Sequence, residues 1–587
     1  MKDGAIQELG SVAGPTDGDW YEATRRGAVR LVGVRSVSPG PGESAVAEEV
    51  LRLLDEDGLE EAYTASGLDP IPGDRHGRHN AYAFLRGRSA RTVVLMGHID
   101  TVDTADYGSL EPWALDPDGL AARRDELCRA LPGLAADLAT QPDDWMFGRG
   151  VADMKSGVAA AIAVLRRYAR QTRTQGPPPL SVVLLATVDE ENESAGVLQA
   201  LRLLARLRAE YGLDYVGAIN TDYTTARYPG DPHRYIYSGT VGKLLPCFLA
   251  VGQPSHAGDP FDGLDANLIA AELVRDLSMN PDLCDSASGF TTAPPVTLHA
   301  RDLKTRYDTQ LPFAAAVYLN VLTLTTGPAA LLERLHGLAE ASLRRVLQRV
   351  DRAEHIWLDL QGSGADNDRA AGAARSRSGR VLTYAALYKA AVRRIGSDGV
   401  RAALDAEWAG LPDDIDRRER SLRLVWQLWT VSGLPAPAII LYYAPPYYPH
   451  VAATPSLLHQ AVSAVAVAHP ELQLVHDEYF PLLCDMSYLR LDPRLDTDPL
   501  RRNMPLWQDQ GPDIVDSPVR PGGYSLPLDL MRALDLPTAN IGPYGVGAHQ
   551  AGERVLMSYA FDTVPRLIDE TIGQLAALPD DSRQVGL

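Results

Sequence analysis

Cysteine is nearly missing from this chain. The four in 587 residues, Cys128, Cys247, Cys284 and Cys484, stand far apart and form no CxxC pair. They offer neither a disulfide framework nor a thiolate metal site, and they read as reduced core thiols. Lysine is scarce, and arginine does not restore the balance: the formal charge is −20. With no basic excess to oppose phosphates, neither nucleic acid nor an anionic membrane surface is expected as a partner. No run of about 18 apolar residues occurs, so no membrane-spanning helix is expected. The first residues, Met1-Lys2-Asp3-Gly4-Ala5, contain no apolar core of a signal peptide. A cytoplasmic protein is expected.

What is present is the balance of a globular protein, with 45% hydrophobic and 22% charged residues. The length exceeds what one simple core organises, so two or more domains are expected. Arg26 to Leu54 reads as two helices around a loop at Ser36–Gly40, with Val46, Val50, Leu53 and Leu54 at helical spacing. Short β-rich runs end at polar groups. Thr92–Met96 leads into Gly97-His98-Ile99-Asp100, Leu180–Thr187 into Asp189-Glu190-Glu191, and Tyr215–Asn220 into Thr221-Asp222. Pro537–Gly542 leads towards His549, and Ser156–Tyr168 reads as a helix just after Asp153. Ala105–Asp144 reads as an insert, polar and then helical. Strands alternating with helices predict an α/β domain, a mostly parallel sheet flanked by helices, with sites at the carboxyl ends of its strands.

From about Tyr237 the pattern changes. A helix is predicted at Ala266–Leu277, an alternating strand at Ala314–Thr323, a long helix at Ala329–Val350 and a last strand at Ala438–Tyr443, closed by Ala444-Pro445-Pro446. Residues 362–380, rich in Gly, Ala, Ser, Asp and Arg, read as a loop. An inserted α+β domain is therefore expected at 237–448, between the two parts of a catalytic domain at 1–236 and 449–587.

The polar groups carry the chemistry. His98 and Asp100, two apart at a strand end, place an imidazole beside a carboxylate that can orient it. Alone, such a pair is as readily a polar loop. Asp153 alone is as readily a helix N-cap. Adjacent Glu190 and Glu191 repel unless a cation lies near, and they suit a division of labour in which one binds metal and the other moves a proton. Asp222 adds a carboxylate at another strand end. His549 follows a Gly-rich run, and His256 lies among small residues in Pro254-Ser255-His256-Ala257-Gly258. Together His98, Asp153, Glu191, Asp222 and His549 supply nitrogen and carboxylate ligands without thiolate. That set suits two Zn²⁺ ions, with Mn²⁺ or Co²⁺ as substitutes.

The ordered motifs GHID, GRGVADMKSG, TVDEE, NTDY, GQPSHAG and GAHQAGERV resemble those of the dizinc metallopeptidase family of aminoacylases, carboxypeptidase G, succinyl-diaminopimelate desuccinylase and dipeptidase V. Asp106-Tyr107-Gly108, Cys484-Asp485-Met486-Ser487-Tyr488 and Gly542-Pro543-Tyr544 resemble its RocB-like branch. The resemblance implies a zinc-exopeptidase-like catalytic domain with an inserted lid or dimerisation domain, here enlarged, and a possible homodimer through it. It implies that Asp153 bridges two ions, with His98 and Asp222 completing one site and Glu191 and His549 the other. Glu190 would be the general base, Asp100 would orient His98, and His256 would hydrogen-bond the substrate carbonyl. The run Tyr318-Leu319-Asn320-Val321 offers no arginine of the kind with which many relatives grip a substrate carboxylate. The implied activity is cleavage of an amide bond in a small peptide or N-acyl amino acid by a metal-bridging hydroxide. Two other readings compete: a catalytically idle relative that binds an amino-acid-like ligand or a partner protein, and a metal-dependent ester hydrolase.

Overall fold

The computed structural model describes residues 18–131, 133–135, 138, 141, 143–361, 377–508 and 522–579. The chain divides into two compact units: Met1–Ser238 with Thr454–Asp477 and Leu536–Leu587, and Gly239–Ala453 with Glu478–Asp535. The stretch 478–535, expected to continue the catalytic domain, packs with the second unit instead. Its backbone pairs there, Phe480 donating to the carbonyl of Gly239 and Val241 donating to that of Phe480.

The first unit is built on an eight-stranded sheet. Its strands are β1 (Ala65–Pro70), β2 (His79–Leu85), β3 (Arg91–His98), β4 (Ser181–Thr187), β5 (Asp214–Asn220), β6 (Arg234–Tyr237), β7 (Leu474–Asp477) and β8 (Thr538–Asn540). They lie in the order β1-β2-β4-β3-β5-β8-β6-β7. The centre, β4-β3-β5-β8, is parallel. Antiparallel pairs join β1 to β2, β2 to β4, and β8 to β6, so the sheet is mixed. β3 and β4 are buried along their whole length, Val93 and Leu95 on one face and Val94 and Met96 on the other. That is why they read as unbroken apolar runs rather than alternating ones.

Helices supply the cover. α1 (Gly18–Val32) packs on α2 (Gly42–Asp55) and on α3 (Ser156–Gln175). α4 (Ala195–Tyr211) ends at Gly212, whose φ of 65° allows its N–H to meet the Arg208 carbonyl. α5 (Leu457–Ala468) starts at Ser456, whose hydroxyl accepts the N–H of His459. α6 (Val564–Ala577) packs on α3 and α5. In the expected insert, Ala105–Ala130 forms short helical turns around Tyr107, Leu110, Ala114, Leu120 and Leu127.

The second unit has a five-stranded sheet in the order Val296–Asp302, Ala314–Thr323, Gly242–Val251, Ala438–Tyr448, Arg380–Thr383. Its pairs are antiparallel except the last. Helices Ala266–Leu277, Pro328–Gln361, Tyr384–Gly410 and Arg417–Ser432 complete it. Leu249, Leu387, Val425, Leu428 and Ile440 share its core. The strand expected to stop at Tyr443 runs on to Tyr448, through Pro445 and Pro446, because the ladder shifts register between Ala444 and Tyr448 and asks no N–H of either proline. Of the loop expected at 362–380, residues 362–376 lie outside the described residues, and Arg380 already belongs to a strand. Among the described residues no helix is long and apolar enough to cross a membrane.

Candidate metal centre

The carboxyl ends of β3, β4 and β5 converge. His98 is the last residue of β3, Glu190 and Glu191 follow β4 by three and four residues, and Asp222 follows β5 by two. Asp153 sits in the irregular turn Val151–Lys155 before α3, with φ −112° and ψ 93° and a cis peptide to Met154. It does not cap α3, which begins without a side-chain capping bond. His549 comes from the loop after β8, at a φ of 63°.

The atoms meet closely. His98 Nε2 lies 2.9 Å from Asp153 Oδ1. His549 Nε2 lies 3.3 Å from Asp153 Oδ2 and 2.9 Å from Glu191 Oε1. Each oxygen of Asp153 thus faces a different histidine. Two groups that could hold a metal ion result, His98/Asp153/Asp222 and Asp153/Glu191/His549, each with its donor atoms within 4.8 Å of one another. Tetrahedral zinc with bonds of about 2.0–2.2 Å separates its ligand atoms by about 3.3–3.6 Å; the His549–Asp153 distance falls in that range, and the two 2.9 Å distances would open slightly around an ion. Glu190 Oε2 lies 3.9 Å from His98 Nε2, beside the ligands.

The electrostatics fit cations. Burial and the charge of Asp153 push Asp222 well above the usual carboxylate range. The same two causes, in that order, raise Glu191. Burial would also raise Asp153, but its hydrogen bonds with His549 and His98 outweigh this and hold it low. His549 is pushed up to about 10 by Asp153 first and Glu191 second. His98 rises despite its burial, through Asp100 and Asp153. Such a negative field suits divalent cations, which would take the histidines as neutral ligands and release their protons.

A supporting layer holds these groups. His98 Nδ1 is 3.1 Å from the carbonyl of Asp100 and 3.5 Å from its carboxylate, which fixes the ring and leaves Nε2 for the site. The Asp100 carboxylate does more: it accepts the N–H groups of Glu190 and Glu191 at 3.2 and 3.0 Å. Asp189, at φ 69°, is held by the buried Arg78 and by Glu43, which accepts its N–H at 2.7 Å. Asn540 on β8 accepts the N–H of Asp222 at 3.0 Å and donates to its carbonyl at 2.8 Å. Buried Glu553 accepts the N–H groups of Ala152 and Asp153 and pairs with Arg149. Burial pushes its carboxyl up to about 7. Burial likewise draws Lys155 down to about 7, its ammonium donating to the Val34 carbonyl.

Of the residues singled out in the sequence, His98, Asp100, Asp153, Glu190, Glu191, Asp222 and His549 meet in the first unit. His256 belongs to the second unit, in an exposed turn. Its Nδ1 accepts the N–H of Gly258 at 3.0 Å, which leaves the proton of the neutral ring on Nε2. Sequence reasoning missed Glu43, Arg78, Asn540 and the roles of Arg149 and Glu553. The last two stand inside the quoted motifs GRGVADMKSG and GAHQAGERV, but nothing in the text pairs them.

The chain is similar to known proteins. The model of peptidase family M20/M25/M40 matches residues 130–491, more than half the chain. Protein YqjN of Bacillus subtilis is 30% identical over 568 residues, covering 94% of this chain and 96% of that protein. Protein RocB of the same organism is 30% identical over 554 residues, covering 92% and 93%. A succinyl-diaminopimelate desuccinylase of Cereibacter sphaeroides is 29% identical over 250 residues, covering 42% of this chain and 54% of the enzyme.

Proposed function

The chain belongs to peptidase family M20/M25/M40, and on that premise we propose that it is a dizinc hydrolase cleaving the amide bond of a small peptide or an N-acyl amino acid. The observation that carries the reading is Asp153, whose two oxygens face His98 on one side and His549 with Glu191 on the other. One ion would be held by His98, Asp153 and Asp222, the other by Asp153, Glu191 and His549. Such ions, when bound, acidify water and polarise a carbonyl. Glu190, 3.9 Å from His98 and outside both candidate ligand groups, would take the proton of the attacking water and pass it to the leaving nitrogen. Asp100 would hold Glu190 by its backbone and His98 by its ring, so that base and ligand keep a common frame. His256 would donate its Nε2 proton to the substrate carbonyl oxygen, within the chain or from a second copy in a homodimer through the second unit. The partial match to desuccinylases supports amide rather than ester cleavage.

Metal content of purified wild type and Asp153→Ala, measured by mass spectrometry, tests this. The expected result is two zinc-type ions per chain, lost on substitution. Fewer than two in a folded, metal-supplemented wild type would end the dizinc reading.

A further inference from the structure

Ala152 and Asp153 present a problem of backbone accounting. Both are buried or nearly so, and the turn Val151–Lys155 departs from helical geometry at Asp153, with Gly150 at φ 78° before it. Their N–H groups therefore have no place in the hydrogen bonding of α3, and buried N–H groups require a partner. One oxygen of Glu553 meets both, at 3.0 and 3.2 Å. Two N–H groups converging on one fixed acceptor set the planes of successive peptides, and with them the direction in which the Asp153 side chain leaves the backbone.

The acceptor is itself fixed. Glu553 is wholly buried, and its other oxygen takes Nη1 of Arg149 at 2.8 Å. Arg149, also buried, gives Nη2 to Asp106 at 2.6 Å and Nε to the Asp103 carbonyl at 3.0 Å. All three nitrogens of one planar guanidinium are used, which a lysine cannot reproduce. Glu553 stands four residues after His549. A single loop thus carries one ligand and the anchor of another.

We infer that Glu553, braced by Arg149 and Asp106, is a positioning residue that sets Asp153 in register with His549 and so tunes metal affinity at both sites. This rests on the dinuclear reading above. It makes the insert that carries Asp106 part of the centre's support.

Titration with Co²⁺, followed by its visible absorption, tests the inference at a temperature where every variant is folded by circular dichroism. Glu553→Gln keeps the shape but faces Arg149 with a second donor or loses the shared acceptor. Its Co²⁺ affinity should fall about 10- to 100-fold, the scale found for groups that orient metal ligands. Its absorption band should change shape as well. Arg149→Lys should lose less, and Asp106→Asn least. Glu56→Gln is the control: Glu56 pairs with Arg26, Arg30 and Arg166, outside the centre, and its loss should lower stability with no change in affinity or spectrum. Wild-type affinity and spectrum in both Glu553→Gln and Arg149→Lys would overturn the inference and leave the dinuclear reading standing. A wild type that takes up fewer than two ions would overturn both.

Discussion

Glu190 and Glu191 are adjacent in sequence and differ in surroundings. Glu191 has an imidazole nitrogen of His549 2.9 Å from its oxygen, whereas an oxygen of Glu190 lies 3.9 Å from the His98 nitrogen. On the proposed reading, Glu191 would go to metal and Glu190 to proton transfer. Glu190→Gln should lower kcat by about 10²- to 10⁴-fold and keep both ions, measured by steady-state kinetics beside metal analysis. Loss of an ion in that variant would make Glu190 a ligand and remove the assigned base. At the same scale, Asp100 is more than an orienter of His98. Its carboxylate takes the backbone N–H groups of Glu190 and Glu191, so substituting it should disturb both of these residues together with His98.

Elements matter where they approach. α3 begins against the segment after β5, and a Cβ on Gly157 would collide with the Thr221 carbonyl oxygen. Gly157→Ala should push α3 and the Asp222 segment apart, costing about 1–3 kcal/mol by overpacking, with Co²⁺ affinity reduced as Asp222 shifts. Chemical denaturation with metal titration measures both, and an unchanged affinity would show that Asp222 is placed independently of α3. A second contact between elements carries a pH dependence. His469, after α5, lies 2.6 Å from Glu570 on α6 and 2.8 Å from Glu471. Burial works against its charged form, but the two carboxylates outweigh burial and raise its pKa. The pairing therefore stabilises the fold fully below the unfolded value of about 6.5 and is lost as pH rises through the folded value. NMR titration of His469, with the wild-type minus His469→Gln stability followed against pH, should show that falling difference. A flat difference would mean that the pairs contribute nothing.

Over the whole chain, the thiols report how each unit is packed. Cys128 in the first unit and Cys284 in the second are half-buried, whereas Cys247 and Cys484 of the second unit are buried. Burial also raises the Cys247 thiol, which suppresses its reactive thiolate. A thiol reagent should label Cys128 and Cys284 in the native protein and all four cysteines after unfolding, read by peptide mass spectrometry. Native labelling of Cys247 would mean that the sheet of the second unit opens far more readily than its core implies.

The alternation of apolar runs and polar ends was enough to place β3, β4 and β5, the helix after Asp153, and His98, Glu190, Glu191 and Asp222 at or just after strand ends, because these follow from local periodicity and from where an α/β sheet exposes its polar ends. Local text could not extend the strand through Pro445 and Pro446, since a register shift depends on the partner strand. Nor could it assign 478–535 to the second unit, since that rests on pairing with residues more than two hundred positions away.

The amino-acid sequence by itself determined the chemical kind of the centre: histidines and carboxylates without thiolate, at the ends of buried strands. Only the tertiary structure decided which oxygen of Asp153 faces which histidine, that Asn540 steadies Asp222, and that Glu553 and Arg149, 404 residues apart, hold the Asp153 segment. The reason is physical. A residue's type fixes which bonds it can make, but the partner of a buried donor is whichever acceptor packing brings within about 3 Å.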